Sequence, residues 1–286
     1  MDFKLQERLA APGGAVREKV AIDENDASSA AASPAGACDL SVVIPVFNEA
    51  ERIVSTIGQV SDYLVRQGKS YEVIISDDGS HDGGPLLIDE EFAGVAEVRM
   101  IREEVNQGKG AAVRRGMLAA RGSLVIFTDA DLAYPVETIG LCVEALEDFD
   151  VAVGSRNLPG SEIEITPPPL RRLAGPVFKA AVRSLVLPGF TDTQCGFKGF
   201  KATAARRIFS NCHANGFAFD VEVLALARHY GFAITEVPVR LSLDSSDSRI
   251  NLTTDPLRML GELIDIRKRI RMMKGTVAPD EAPDEA

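Results

Sequence analysis

The chain has 286 residues, 45% hydrophobic and 26% charged, a balance that supplies a sizeable core and excludes a globally disordered chain. A net charge of −11 excludes a general nucleic-acid binder, which would hold phosphate backbones through clustered Lys and Arg. Four cysteines (Cys38, Cys142, Cys195, Cys212) without a CxxC interval and three scattered histidines (His81, His213, His229) argue against a zinc site and for reduced thiols in a cytoplasmic setting.

Residues 1–38, rich in Ala, Gly, Ser and charge, read as a disordered leader, 39–275 as one α/β domain, and 276–286 as a disordered acidic tail with Asp280, Glu281, Asp284 and Glu285. No run approaches the 18 apolar residues of a membrane span and MDFKLQERLA lacks a secretion-signal core, so the expected location is cytoplasmic, at most peripheral on the cytoplasmic face of a membrane.

Order is expected from Leu40, where Ser41, Val42, Val43 and Ile44 form a buried β-branched strand stopped by Pro45. Ile53, Ile57, Val60 and Leu64 then recur on one helical face. Strands follow at Tyr71–Ser76, Glu97–Ile101 and Leu124–Thr128, with helices near Pro85–Phe92, Gly110–Arg121 and Val136–Glu147. This alternation predicts a parallel sheet with right-handed crossovers. The second half predicts a strand at Val151–Gly154, a connection through Pro167, Pro168 and Pro169, and a helix over Phe178–Leu185. Beyond these come a strand at Gly196–Lys201, a helix at Phe219–Tyr230, a strand at Phe232–Leu241 and a final helix from Asp255 to about Met273.

Ligands of open α/β sheets bind outside the carboxyl ends of the strands, and four unusual segments fall there. Pro45-Val46-Phe47-Asn48-Glu49 offers a fixed turn, an aromatic ring and a carboxylate to a nucleobase, and Asp77-Asp78-Gly79-Ser80 offers carboxylates to base and ribose. Asn106-Gln107-Gly108-Lys109-Gly110 opens a helix, its glycines allowing close backbone approach and its lysine reaching a phosphate. Asp129-Ala130-Asp131 projects two carboxylates to the same crevice, the oxygen chemistry that Mg²⁺ or Mn²⁺ needs to bridge to a diphosphate.

Together these segments, over Leu40 to Lys274, resemble the family 2 glycosyltransferases of GT-A fold, a single Rossmann-like, mostly parallel sheet flanked by helices. Asn106 to Arg114, Asp192-Thr193-Gln194-Cys195-Gly196-Phe197-Lys198 and Phe217 to Glu222 are similar to the dolichyl-phosphate beta-glucosyltransferase branch of the polyprenyl-phosphate sugar synthases. The resemblance implies that Pro45, Phe47, Glu49 and Asp78 hold the nucleoside, that Asp77 and Lys109 support the donor, and that Asp129 and Asp131 carry the metal and diphosphate. Arg156 and Arg249 would meet phosphate groups. The implied partners are a nucleotide-sugar donor and a polyprenyl phosphate acceptor. Two departures stand out: Ala133 replaces the glutamine that mannosyl relatives often carry two residues past the acidic turn, and the C-terminal transmembrane helices of some relatives are absent.

The expected reaction is a single inverting displacement by the acceptor phosphate, whose second pKa near ~6 makes a protein base unnecessary. A hydroxyl acceptor would instead need Asp192, Asp220 or Glu222 as base, although Asp220 also reads as an N-terminal helix residue and Glu222 as the partner of a nearby Arg. UDP-glucose leads GDP-mannose as donor. A catalytically silent nucleotide-sugar binder is disfavoured by the intact Asp129, Asp131, Lys109 and Arg249. In the last helix, Arg258, Arg267, Lys268, Arg269, Arg271 and Lys274 beside Leu257, Leu260, Leu263, Ile264, Ile266 and Ile270 suit either an anionic membrane surface or a packing helix with a solvated basic face.

Overall fold

The computed structural model describes residues 38–163, 182, 186–241 and 255–275, with side chains of the final helix described over 261–273. The leader through residue 37, the prolines at 167–169, most of the expected 178–185 helix, Arg249 and the 276–286 tail lie outside the described residues.

The strands are β1 (Cys38–Val46), β2 (Tyr71–Asp78), β3 (Val98–Glu103), β4 (Gly122–Phe127), β5 (Val151–Ser155), β6 (Glu162–Ile163), β7 (Lys198–Lys201), β8 (Ile234–Pro238) and β9 (Arg240–Leu241). The helices are α1 (Ile53–Gln67), α2 (Gly84–Glu91), α3 (Lys109–Ala119), α4 (Thr138–Asp148), α5 (Ala202–Phe209), α6 (Phe219–His229) and α7 (Asp255–Gly275). Among the described helices none is long and apolar enough to cross a membrane.

The main sheet has seven strands in the order β3-β2-β1-β4-β7-β5-β8. All neighbours pair in parallel except β7, which runs antiparallel to both β4 and β5. The sheet is therefore mostly parallel, as expected, with one reversed strand. β5 ends and β7 begins at the same edge of the sheet. One consequence matters for function: the start of β7, not its end, lies beside the carboxyl ends of β4 and β5.

Each sheet face carries its own core. On one side α1 and α4 bury Ile53, Ile57, Val60, Leu64, Ile139, Cys142 and Leu146 against Val42, Ile44, Val73 and Ile75. The four periodic residues of α1 are at most 1% exposed. On the other side α3, α5, α6 and α7 enclose Val43, Ile74, Phe127, Phe200, Phe209 and Phe219.

Pro45 does not end β1, which continues to Val46 with Pro45 opposite Ser76 of β2. Pairing with β4 reaches only Val43, so on that side the missing proline N–H forfeits no ladder bond. The helix α5 was not expected from sequence; its buried face of Ala204, Ala205, Ile208 and Phe209 is half alanine and carries a weak apolar signal.

At the amino-terminal edge, buried Glu72 accepts hydrogen bonds from Ser41 Oγ (2.6 Å), Arg121 N (2.7 Å) and Arg99 Nε (2.9 Å). Burial opposes its charge, but these donors win and hold the carboxyl below its usual range. Its stabilising contribution is thus present above the unfolded-state value and is lost as pH falls through the lowered folded value. Glu72→Gln is expected to lower stability at neutral pH by about 1.5–3 kcal/mol, read by urea unfolding, with the gap to wild type closing on acidification.

Candidate active site

The acidic turn leaves the end of β4. Asp129 and Asp131 are both partly buried, and Leu132, next in line, adopts a left-handed φ of 46°, which costs a branched residue about 1–2 kcal/mol. Asn48 (φ 53°) is the other non-glycine residue with positive φ among the described residues, and it lies in the loop after β1. Asparagine takes that conformation readily, so the unusual backbone of this edge is concentrated at Leu132. Thr56 Oγ1 of α1 donates to Ala130 O at 2.6 Å, and Ala133 N donates to Asp131 Oδ1 at 3.0 Å, so the turn is held from both sides.

Lys109 opens α3 and its Nζ lies 2.6 Å from Asp129 Oδ1, with the two side chains 24% and 26% exposed. Burial works against the ammonium, yet Asp129 and Asp220 hold its pKa above the ordinary lysine value. Asp131 goes the other way: burial, then the charge of Asp129, raises its carboxyl above the usual range. The charges of Lys109 and Arg52 act against that rise without cancelling it. Asp129 and Asp131 present only hard oxygen donors. That fits Mg²⁺ or Mn²⁺ bound by one or two carboxylates with remaining positions open to water and phosphate oxygens.

The glycines beside Lys109 allow the close backbone approach expected of them, here by another stretch of the chain. A Cβ on Gly108 would sit 2.5 Å from Asn215 O, and one on Gly110 would collide with Ala214 O and Phe219. Gly110 N donates to Asn215 O at 2.7 Å. The close backbone approach is to residues 214 and 215, which pack against the first turn of α3.

On the β1 and β2 side, Pro45, Phe47 and Glu49 are partly exposed, Phe47 meets the His81 ring edge-on at 5.8 Å, and Glu49 pairs with Arg52 at 3.2 Å. Asp77 and Asp78 are not open carboxylates: they are 0% and 2% exposed. Asp77 accepts from Ser80 N and pairs with Arg102 at 3.4 Å. Asp78 accepts from Gln107 N (3.1 Å) and Gly108 N (2.7 Å) and pairs with Arg115 at 3.2 Å. Both brace the loops that surround Phe47 and Lys109.

Beyond β5, Arg156 and Asp192 form a bidentate pair, Nε to Oδ2 at 2.6 Å and Nη2 to Oδ1 at 2.9 Å. Burial opposes the charge of Asp192, but the guanidinium holds its carboxyl below the usual range. Where β7 begins, fully buried Lys198 pairs with Asp220 of α6 and donates to Cys195 O at 2.7 Å. A Cβ on Gly196 would overlap the Asp129 carboxylate where it now lies, so a larger residue just before β7 would push that carboxylate aside. Glu222 accepts from Ala214 N (2.6 Å), His213 N (2.8 Å) and Arg269 Nη2 (2.6 Å). Burial pushes the Cys195 thiol up to about 11 and raises those of Cys142 and Cys212 as well, so these sulfurs are protonated and packed.

The edge thus gathers Lys109, Asp129 and Asp131 at one point, Phe47 and Glu49 on one flank and Arg156 with Asp192 on the other. Arg249 lies outside the described residues. Sequence reasoning gave no role to Lys198, although a lone lysine between Phe197 and Phe200 in a strand signals a buried partner. It also passed over Thr56 and Arg52, whose helix gave only a packing signal.

The Glycosyl transferase family 2 profile matches residues 41–209, more than half of the chain. The chain belongs to glycosyl transferase family 2. This family 2 transferase is similar to the dolichyl-phosphate beta-glucosyltransferase of Dictyostelium discoideum, at 33% identity over 243 residues, covering 80% of this chain and 74% of that protein. The dolichyl-phosphate beta-glucosyltransferase of Homo sapiens is 33% identical over 244 residues, covering 80% and 75%. Its fold matches glucosyl-3-phosphoglycerate synthase from Mycobacterium tuberculosis, in complex with Mn²⁺, UDP-glucose and phosphoglyceric acid, with a TM-score of 0.62 over 88% of this chain and 86% of that one. At 18% identity the likeness is one of GT-A fold.

Proposed function

We propose that this family 2 transferase moves glucose from UDP-glucose to a dolichyl-type polyprenyl phosphate by one inverting displacement. The observation that carries the reading is the state of the three carboxylates that a hydroxyl acceptor would need as bases. Asp192 is clamped by Arg156, Asp220 by Lys198, and Glu222 by two backbone N–H groups and Arg269. A phosphate acceptor, largely a dianion at neutral pH with its second pKa near ~6, needs none of them. The relatives named dolichyl-phosphate beta-glucosyltransferase support the same acceptor and sugar.

In this reading Phe47, Glu49 and Pro45 receive the uridine, within walls braced by Asp77 and Asp78. Asp129 and Asp131 hold the metal with the diphosphate, and Lys109 faces the same phosphates. A bound Mg²⁺ or Mn²⁺ supplies positive charge to the departing UDP. An acceptor phosphate oxygen forms the new bond to the anomeric carbon as the bond to the UDP oxygen breaks. Arg156, aimed by Asp192, attracts the acceptor phosphate, and Arg249 is assigned a second phosphate contact. The work of the chain is positioning and charge stabilisation. Ala133 supports glucose over mannose. Calorimetric titration tests the donor: UDP-glucose binds in the presence of Mn²⁺ and GDP-mannose does not, whereas the reverse preference overturns the assignment.

Contact with a membrane surface is proposed through α7, in a narrower form than the sequence suggested. Leu263 and Ile266 are buried, Ile270 packs on the core and Arg269 turns inward to Glu222. Ile264, Lys268, Arg271 and Met272 remain exposed at spacings of one helical face. Side chains of Leu257, Arg258, Leu260 and Lys274 lie outside the described residues. Neutralising Lys268 and Arg271 together is expected to release the protein from anionic liposomes in sedimentation, by about 1 kcal/mol per charge; an unchanged bound fraction removes the helix from the membrane reading.

A further inference from the structure

We infer that Glu222 and Arg269 form a positioning link between the C-terminal helix and the donor-phosphate lysine, so that the seating of α7 sets the affinity of the site for the UDP diphosphate. The inference rests on the reading of Lys109 as a diphosphate ligand.

The link is continuous in hydrogen bonds. Arg269 Nη2 of α7 donates to Glu222 Oε1 at 2.6 Å. Glu222, 2% exposed, uses its other oxygen to gather Ala214 N (2.6 Å), His213 N (2.8 Å) and Cys212 Sγ (3.2 Å). The loop so gathered presents Asn215 O to Gly110 N at 2.7 Å, and it is tied to the same helix by Arg114, which donates to Cys212 O (3.2 Å) and Asn215 Oδ1 (2.9 Å). Lys109 lies between the two glycines on which this loop rests, and reaches Asp129 from there.

Two features separate this arrangement from ordinary packing. A carboxylate that satisfies two consecutive backbone N–H groups fixes a loop far more tightly than apolar contact does. The first turn of α3 is capped from outside its own chain neighbourhood: no side chain caps it, and Asn215 O takes its N–H. Residues 212–215 therefore supply one of two anchors of the turn that carries Lys109, the other being Asp78, which accepts from Gly108 N at 2.7 Å. The charge of Glu222 is balanced by Arg269, which is one-third exposed on the helix that also presents Lys268 and Arg271.

The test is a double-mutant cycle on the full-length protein, reading UDP affinity by calorimetry with Mn²⁺ present. Lys109→Ala is expected to weaken UDP binding about 10-fold or more, and Arg269→Ala about 5-fold through the link. Arg269→Ala in the Lys109→Ala background should add nothing, and Arg269→Lys should recover most of the affinity. Glu222→Gln, which keeps an acceptor for the loop but loses the charge, should behave like Arg269→Ala. In turnover, the KM for UDP-glucose should rise while that for the polyprenyl phosphate stays fixed. If Lys109→Ala leaves UDP affinity unchanged, the reading of Lys109 itself fails. If Lys109→Ala weakens UDP but Arg269→Ala does not, or the two effects multiply independently, the link is overturned and Arg269 only secures the helix.

Discussion

Asp131→Asn is expected to lower transfer about 10²–10³-fold, the loss typical of removing one preorganised electrostatic contact to a developing charge, and at the same time to raise the melting temperature at neutral pH. The second effect follows from the first. Burial and the charge of Asp129 raise the Asp131 carboxyl above its unfolded value, so in the absence of metal the folded state carries an ionised group it would rather protonate. For a raised carboxyl the favourable contribution is complete below the unfolded value and is lost as pH rises through the folded one. The penalty on the ionised form grows as pH rises above the unfolded value, and asparagine removes it. Relief of 1 kcal/mol in a chain of this size is worth about 2–4 °C. Melting curves of wild type and variant across pH 4–8 check this (roughly the range between the carboxylate and neutral extremes): the gap should narrow on acidification, and UDP with Mn²⁺ should stabilise only the wild type. A variant that melts below wild type at neutral pH would mean that Asp131 holds the turn together instead of waiting for a cation.

The largest stability effect is expected at Lys198. Its ammonium is fully buried against Asp220, itself 4% exposed, and burial already raises the Asp220 carboxyl. Lys198→Met leaves that carboxylate without its hydrogen-bonded partner and with only the charge of Lys109 nearby, which costs about 3–5 kcal/mol. Replacing both members by apolar residues of similar volume should restore most of the loss, because the desolvation of both charges is then avoided. Urea unfolding of the single and double variants measures the pair; equal stability of wild type and Lys198→Met would show that the pair contributes nothing to the fold.

Much of the sheet edge was legible in the sequence because strand ends and glycine-rich turns are local signals. The alternation through Thr128 gave β1 to β4 and their helices in order, and with them the segments holding Phe47, Asp77, Lys109 and Asp129. What local patterns could not give was direction and partnership. Nothing in Gly196 to Lys201 says that β7 runs against its neighbours, yet that reversal places Gly196 against Asp129 and Lys198 against Asp220. Nor do Gly108 and Gly110 say which backbone approaches them; the expected close approach is made by residues 214 and 215. Asp192 and Glu222, read as bases should the acceptor be a hydroxyl, have their oxygens engaged across 36 and 47 residues of sequence. Acid–base availability is a property of partners distant in sequence, and only the folded chain displays it.

The central claim is tested most directly by mixing the full-length protein with labelled UDP-glucose or GDP-mannose and dolichyl phosphate in detergent with Mn²⁺, and extracting the product into organic solvent. The account predicts label in the organic phase from UDP-glucose alone, lost with Asp131→Asn. Extraction from GDP-mannose instead, or no transfer to the lipid despite tight UDP-glucose binding, would contradict it.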